Sequence, residues 1–155
     1  MAEVDIAACT EPELDDVRRL LAEYGASLAF DLRFQAFDDE LADLPGRYAP
    51  PDGALLVARA GGEAIGCIGI RSLGGETCEL KRLYVRPEHR GDGTGRRLVH
   101  AAIDEARRRG YRRMRLDTVP GMERAQMLYE RLGFREIAPY TDNPVAGARF
   151  LELEL

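Results

Sequence analysis

Cysteine and histidine are scarce in this 155-residue chain, and long apolar runs are missing. The three cysteines, Cys9, Cys67 and Cys78, are odd in number and lack the paired spacing of a zinc site or disulfide framework. They read as free, largely buried thiols, and no metal site is expected. No segment approaches the roughly 20 apolar residues that a membrane span needs. The N-terminal "MAEVDIAACTEPELDD" is acidic and lacks the basic-then-apolar order of a secretory leader. These absences predict a cytoplasmic protein with no membrane partner. Repeats, linkers and low-complexity tracts do not stand out either, so residues 1–155 read as one domain.

What is present is a 45% hydrophobic content, enough for a core, and a 32% charged content that suits a solvated surface. The net charge of -5 hides an asymmetry. Residues 1–76 carry 15 acidic residues against 6 arginines, whereas 77–155 carry 16 basic against 12 acidic. The C-terminal half is thereby suited to an anion and the N-terminal half to a neutral or cationic group.

Periodicity gives the element order β-α-(α)-β-β-β-α-β-α-β-β. "EVDIAAC" alternates as a strand, and Thr10 with Glu13 forms a capping box ahead of a helix over about 12–28. A loop and short helix follow, ending before Pro45. "ALLVARA", "EAIGCIGI" and "CELKRLYV" are three strands of an antiparallel meander. Leu98, Val99, Ala102, Ile103 and Ala106 mark a helix that stops at Gly110. "RRMRLDTV" is a strand, Ala125 to Leu132 a helix, and "FREIAPY" and "ARFLELEL" the last strands. The strand–helix–strand unit over 78–118 requires a right-handed crossover and a parallel pair. The expected fold class is α/β (α+β), with a mixed, mostly antiparallel sheet and helices on both faces.

The stretch "VRPEHRGDGTGRRL" (85–98) joins the third meander strand to the next helix. A helix start offers unpaired N–H groups and positive dipole charge, and glycines let a ligand approach the backbone. Arginines beside them complete a site for a pyrophosphate. The run lacks the G-K-[ST] of a P-loop, and its G-x-G-x-G departs from the dinucleotide G-x-G-x-x-G. An adhesion-type Arg-Gly-Asp role has no secreted context to support it.

The R-x-x-G-x-G of Arg90, Gly93 and Gly95, followed about 30 residues later by "AQMLYERLGF", resembles the GNAT (Gcn5-related N-acetyltransferase) superfamily. The resemblance implies a GNAT-like fold in which one parallel strand pair splays apart. It implies acetyl-CoA as cofactor, with Gly91, Asp92, Gly93, Thr94, Gly95, Arg90 and Arg96 at its pyrophosphate. Leu83, Tyr84 and Val85 would then run beside the pantetheine, with the Leu83 N–H polarising the acetyl carbonyl. Members with a strand glutamate as base place it eleven residues before the motif's first position, here Glu79. Alternation from Glu79 through Lys81 to Leu83 and Val85 would put Glu79 on the cofactor face, acting as base through water. Tyr129 matches the family tyrosine that protonates the departing thiolate. The family often has asparagine where this chain has Met122.

Phe34, Gln35, Tyr140 and Asn143 are the candidate acceptor contacts, with Asp31, Asp38, Asp39 and Glu40 favouring a cationic amine. The expected function is acetyl transfer to a primary amine of a small molecule or peptide by direct ternary-complex attack. The alternative is a non-catalytic acyl-CoA-binding sensor or partner-binding module. A homodimer is compatible with either. The basic run "RRRGYRRMR" (107–115) spans a helix end and a strand start with one aromatic, so nucleic acid is not the expected partner. His100 falls on a polar helix face, and His89 precedes the loop.

Overall fold

The computed structural model describes residues 3–28 and 36–155. Phe34, Gln35 and Asp31 therefore lie outside the described residues. The alternating N-terminal segment forms β1 (Val4–Ala8), and the Thr10–Glu13 box starts the first helix through one 3-10 turn. There Glu13 Oε1 accepts both the Thr10 N–H at 2.9 Å and its hydroxyl at 2.7 Å. Helix α1 (Leu14–Ser27) buries Val17, Leu20 and Leu21, and the short α2 is Phe37–Ala42. The meander is β2 (Ala54–Ala60), β3 (Glu63–Gly74) and β4 (Thr77–Val85). Helix α3 (Thr94–Arg108), β5 (Arg113–Thr118) and α4 (Glu123–Arg131) follow, then β6 (Arg135–Ile137) and β7 (Arg149–Glu154). The element order matches the one expected. "FREIAPY" supplies only three residues to the sheet, because Pro139 removes a donor and Tyr140 turns inward.

The seven strands are ordered β1-β2-β3-β4-β5-β7-β6, antiparallel except for β4 with β5. Two apolar layers cover the two faces. The α3 side is filled by Leu98, Val99, Ala102, Met114, Leu116 and Leu151, and the α1 side by Val17, Leu20, Leu21, Tyr48 and Val57. Close strand packing leaves no room for a side chain at Gly66, where a Cβ would lie 2.8 Å from the Tyr84 carbonyl oxygen.

Two irregularities position the site. First, β4 and β5 pair only over Thr77–Glu79 and Arg113–Arg115, and part beyond. Second, Cys67 opposes Tyr84 while Gly69 opposes Lys81, so β4 carries one residue more than β3 in that interval. This is a β-bulge, and Arg82 takes a left-handed φ of 63° within it. Before the bulge Cys78 and Leu80 face the α3 layer; after it, Leu83 and Val85 do. Arg82 instead stacks on Phe37 of α2, 5.0 Å from the ring centroid. The plain alternation expected from Glu79 to Val85 is thereby corrected: Glu79 and Lys81 lie on the α1 face, opposite Leu83 and Val85.

Candidate active site

A cleft of about 740 Å³ opens where β4 and β5 separate. Leu80–Val85 form one wall and Leu116–Val119 the other. Tyr24, Ser27 and Leu28 of α1 line it on one side of the sheet, and Ala125, Leu128 and Tyr129 of α4 on the other. The cleft thus connects both faces through the gap in the ladder. Two substrates entering from opposite faces could meet there.

One end is the glycine loop. Gly91 and Gly93 both have φ 89°, a conformation that favours glycine, and Gly93 is the residue before α3. Gly91, Gly93, Gly95, Arg90 and Arg96 line the cleft, as do Leu83, Tyr84 and Val85. Asp92 and Thr94 are turned to each other. Asp92 Oδ1 accepts the Thr94 N–H at 2.9 Å and the Thr94 hydroxyl at 2.6 Å. The Asp92 carboxylate therefore holds the first residue of α3 in place. Arg90 Nε donates to the Val85 carbonyl at 2.8 Å, and its guanidinium lies 5.6 Å from the Tyr84 ring centroid. Arg96, Arg124 and Arg131 also line the cleft and have no ion-pair partner among the described residues. Arg124 was not anticipated from the sequence; a Cβ at Gly91 would lie 3.6 Å from its Nη2. Met122 lines the same wall.

The α1 face of the cleft holds a chain of buried charges. Glu79, 1% exposed, accepts from Arg71 Nε at 2.8 Å and from the Tyr140 hydroxyl at 2.7 Å. Lys81 Nζ is 3.8 Å from Glu79 Oε2 and 3.0 Å from Asp117 Oδ1. Asn143 Nδ2 donates to Asp117 Oδ2 at 3.0 Å. Arg82 pairs with Glu40 through Nε at 2.7 Å and Nη2 at 3.0 Å, and Glu40 approaches Arg71 at 3.8 Å. Tyr140 and Asn143, both expected as acceptor contacts, are thus joined to this network. Lys81, Asp117 and Asn143 line the cleft, whereas Glu79 is not part of its wall. Glu40 has its arginine partners already, and it does not stand as a free anion for an acceptor. Asp117, Lys81 and Arg71 carried no motif in the sequence, since single charges within strands are indistinguishable from solvated ones until the sheet is assembled.

Tyr129 is 7% exposed and packs 5.5 Å from the Phe134 ring. Burial, with Tyr24 and Asp117 adding to it, raises its pKa and keeps the hydroxyl protonated. Burial pushes the Cys67 and Cys78 thiols each up to about 12 and Cys9 to about 11, which disfavours the thiolate. His89 lies 3.9 Å from Asp92 and His100 is exposed.

A sequence model of the acetyltransferase (GNAT) family matches residues 14–134. The chain belongs to the GNAT family. This GNAT chain is 42% identical over 155 residues to an uncharacterised N-acetyltransferase of Schizosaccharomyces pombe, covering 98% of this chain and 95% of that protein. Among solved structures, a Salmonella typhimurium protein with acetyl-CoA as its cofactor superposes with a TM-score of 0.78 at 23% identity, covering 97% of this chain and 93% of the other. An N-acetyltransferase of Thermoplasma acidophilum in complex with coenzyme A superposes with a TM-score of 0.77 at 18% identity, covering 99% of each chain. Both share its fold. No described helix is long and apolar enough to cross a membrane.

Proposed function

We propose that this GNAT chain transfers an acetyl group from acetyl-CoA to a primary amine of a small molecule or peptide, by direct attack within a ternary complex. The observation that carries the reading is the gap between β4 and β5 ending at a glycine loop, in a cleft lined by three arginines that have no ion-pair partner among the described residues. Phosphates suit that end, because loop N–H groups and guanidinium forks both favour anions. The coenzyme, when bound, supplies an acetyl group activated as a thioester. Leu83–Val85 line the cleft beyond the last paired residue of β4, and their backbone would hold the pantetheine there. The Leu83 N–H would stabilise charge on the acetyl oxygen.

Tyr129 is the group proposed to hand a proton to the departing sulfur, its hydroxyl being protonated and at the cleft wall. Glu79 acts at one remove in this scheme, since it is 1% exposed and is not part of the cleft wall. Through Tyr140 and Lys81 it would set the acceptor side. The high thiol pKa values of Cys67 and Cys78 disfavour an acyl-cysteine intermediate and support direct transfer. The acceptor enters from the α1 face, past Tyr24, Ser27 and Leu28, in a protein located in the cytoplasm.

The deciding experiment is a thiol-release screen with acetyl-CoA against amines, amino acids and peptides. Amine-dependent release supports transfer. Tight coenzyme binding with silence across the panel would overturn it in favour of a sensor.

A further inference from the structure

We propose that Asp117 of β5 is the carboxylate that meets the acceptor's nitrogen and receives its proton. This rests on the amine-transfer reading above and assigns the proton's destination within that site. Three observations point to it. Asp117 lines the cleft and Glu79 does not. Asp117 lies two residues past Arg115, the last β5 residue paired with β4, so it stands at the opening of the gap. Its two oxygens are oriented from separate elements, by Lys81 of β4 at 3.0 Å and by Asn143 at 3.0 Å.

Those two donors leave room for a third. Each carboxylate oxygen can accept more than one hydrogen bond, and each oxygen of Asp117 takes one of these donors. Lys81 is the one lysine among the chain's 22 Lys and Arg residues. Its compact ammonium contacts a single Asp117 oxygen, where an arginine fork could cover both. By contrast, Glu79 is 1% exposed and sealed between Arg71 and Tyr140. The groups that contact Asp117 are Lys81 from β4 and Asn143 from the segment before β7; burial raises the pKa of Tyr24, Tyr129 and Tyr140, and the charge of Asp117 adds to it.

The proton balance is simple. A basic amine first gives its ammonium proton to water; as the nitrogen–carbon bond then forms and the carbon–sulfur bond breaks, the nitrogen becomes acidic and releases one further proton to Asp117. The sulfur takes one from the Tyr129 hydroxyl. Asp117 then returns its proton to water as the product leaves, and Tyr129 regains one from water.

The test compares the wild type with Asp117→Asn and Glu79→Gln, using hydroxylamine, glycinamide, phenethylamine and a lysine-bearing peptide as acceptors. Thiol release gives kcat and KM for each amine, and calorimetry gives the acetyl-CoA affinity. Asp117→Asn should keep that affinity and lose kcat by about 10²-fold on basic amines. The loss should shrink on hydroxylamine, whose weakly basic nitrogen sheds its proton readily to water. A purely structural role would lower all four equally. Should Asp117→Asn fail to fold, Asn143→Ala removes an orienting donor, together with the acceptor of the Val145 N–H, and should show the same dependence on basicity at smaller size. Wild-type kcat in Asp117→Asn, an equal loss on every amine, or a basicity-dependent loss in Glu79→Gln instead would overturn the proposal. A wild type that binds acetyl-CoA but uses none of the amines overturns the transfer reading, and this proposal with it.

Discussion

Tyr129 and Tyr140 show how much a single hydroxyl's surroundings decide. Tyr129 is buried against Phe134 and lines the cleft, whereas Tyr140 is spent on Glu79. Tyr129→Phe is expected to lower kcat by about 10²-fold while leaving the acetyl-CoA dissociation constant unchanged, as thiol-release kinetics and calorimetry would measure. Tyr140→Phe removes a donor from a buried carboxylate. It should cost about 1–3 kcal/mol in denaturant unfolding, the range for leaving a buried acceptor short of a partner. If Tyr140→Phe were as stable as the wild type, the hydrogen bond to Glu79 would carry little of the packing at this face.

At the scale of elements, the start of α3 and the face of α4 both line the glycine-loop side of the cleft. Asp92, just ahead of the N-cap Gly93, accepts the N–H and hydroxyl of Thr94, the first residue of α3. Asp92→Ala should therefore destabilise the fold by about 1 kcal/mol, seen as a lowered Tm. Arg124 and Arg131 lie seven residues apart, two turns along one face of α4, and both reach the cleft. Arg124→Ala should weaken coenzyme A binding and reduce the dependence of its Kd on salt, because one screened charge contact is removed. An unchanged salt slope would place Arg124 outside the phosphate contacts. The bulge at Arg82 belongs to this scale too. By adding one residue to β4 it turns Leu83 and Val85 to the α3 face while Glu79 and Lys81 remain on the α1 face.

Across the whole molecule, the acidic N-terminal half is tied down by arginines from other elements. Arg59 of β2 holds Glu13 at 2.5 Å and Asp16 at 2.9 Å, and Arg86 holds Glu23 at 2.9 Å. The capping hydrogen bonds from Thr10 depress the Glu13 pKa first and Arg59 adds to them, while Arg59 leads for Asp16. With folded pKa values below the unfolded ones, the unfolded chain binds more protons as acid is added. This contribution is complete above the ordinary carboxylate values of 4.5 and 3.8 and is lost as pH falls through the lower folded ones. Tm should accordingly drop on acidification below about pH 4, and Arg59→Leu should flatten that drop. A variant with the wild-type acid slope would assign the sensitivity to other carboxylates.

Legibility followed the range of the interactions. Element order, the capping box and the meander were readable because periodicity and turn residues act within a few positions, as in Leu98, Val99 and Ala102 of α3 or Thr10 with Glu13. The glycine loop was readable for the same reason. The bulge was not, since an arginine at φ 63° has no local signal and is held there by Glu40 and Phe37 from distant sequence. Nor was Asp117, whose meaning depends on Lys81, 36 residues earlier, and Asn143, 26 residues later. The sequence by itself determined the family, the order of elements and the glycine loop at one end of the cleft, all carried by contiguous residues. Only the tertiary structure decided which carboxylate lines the cleft, because that follows from where two strands part and which side chains the gap admits.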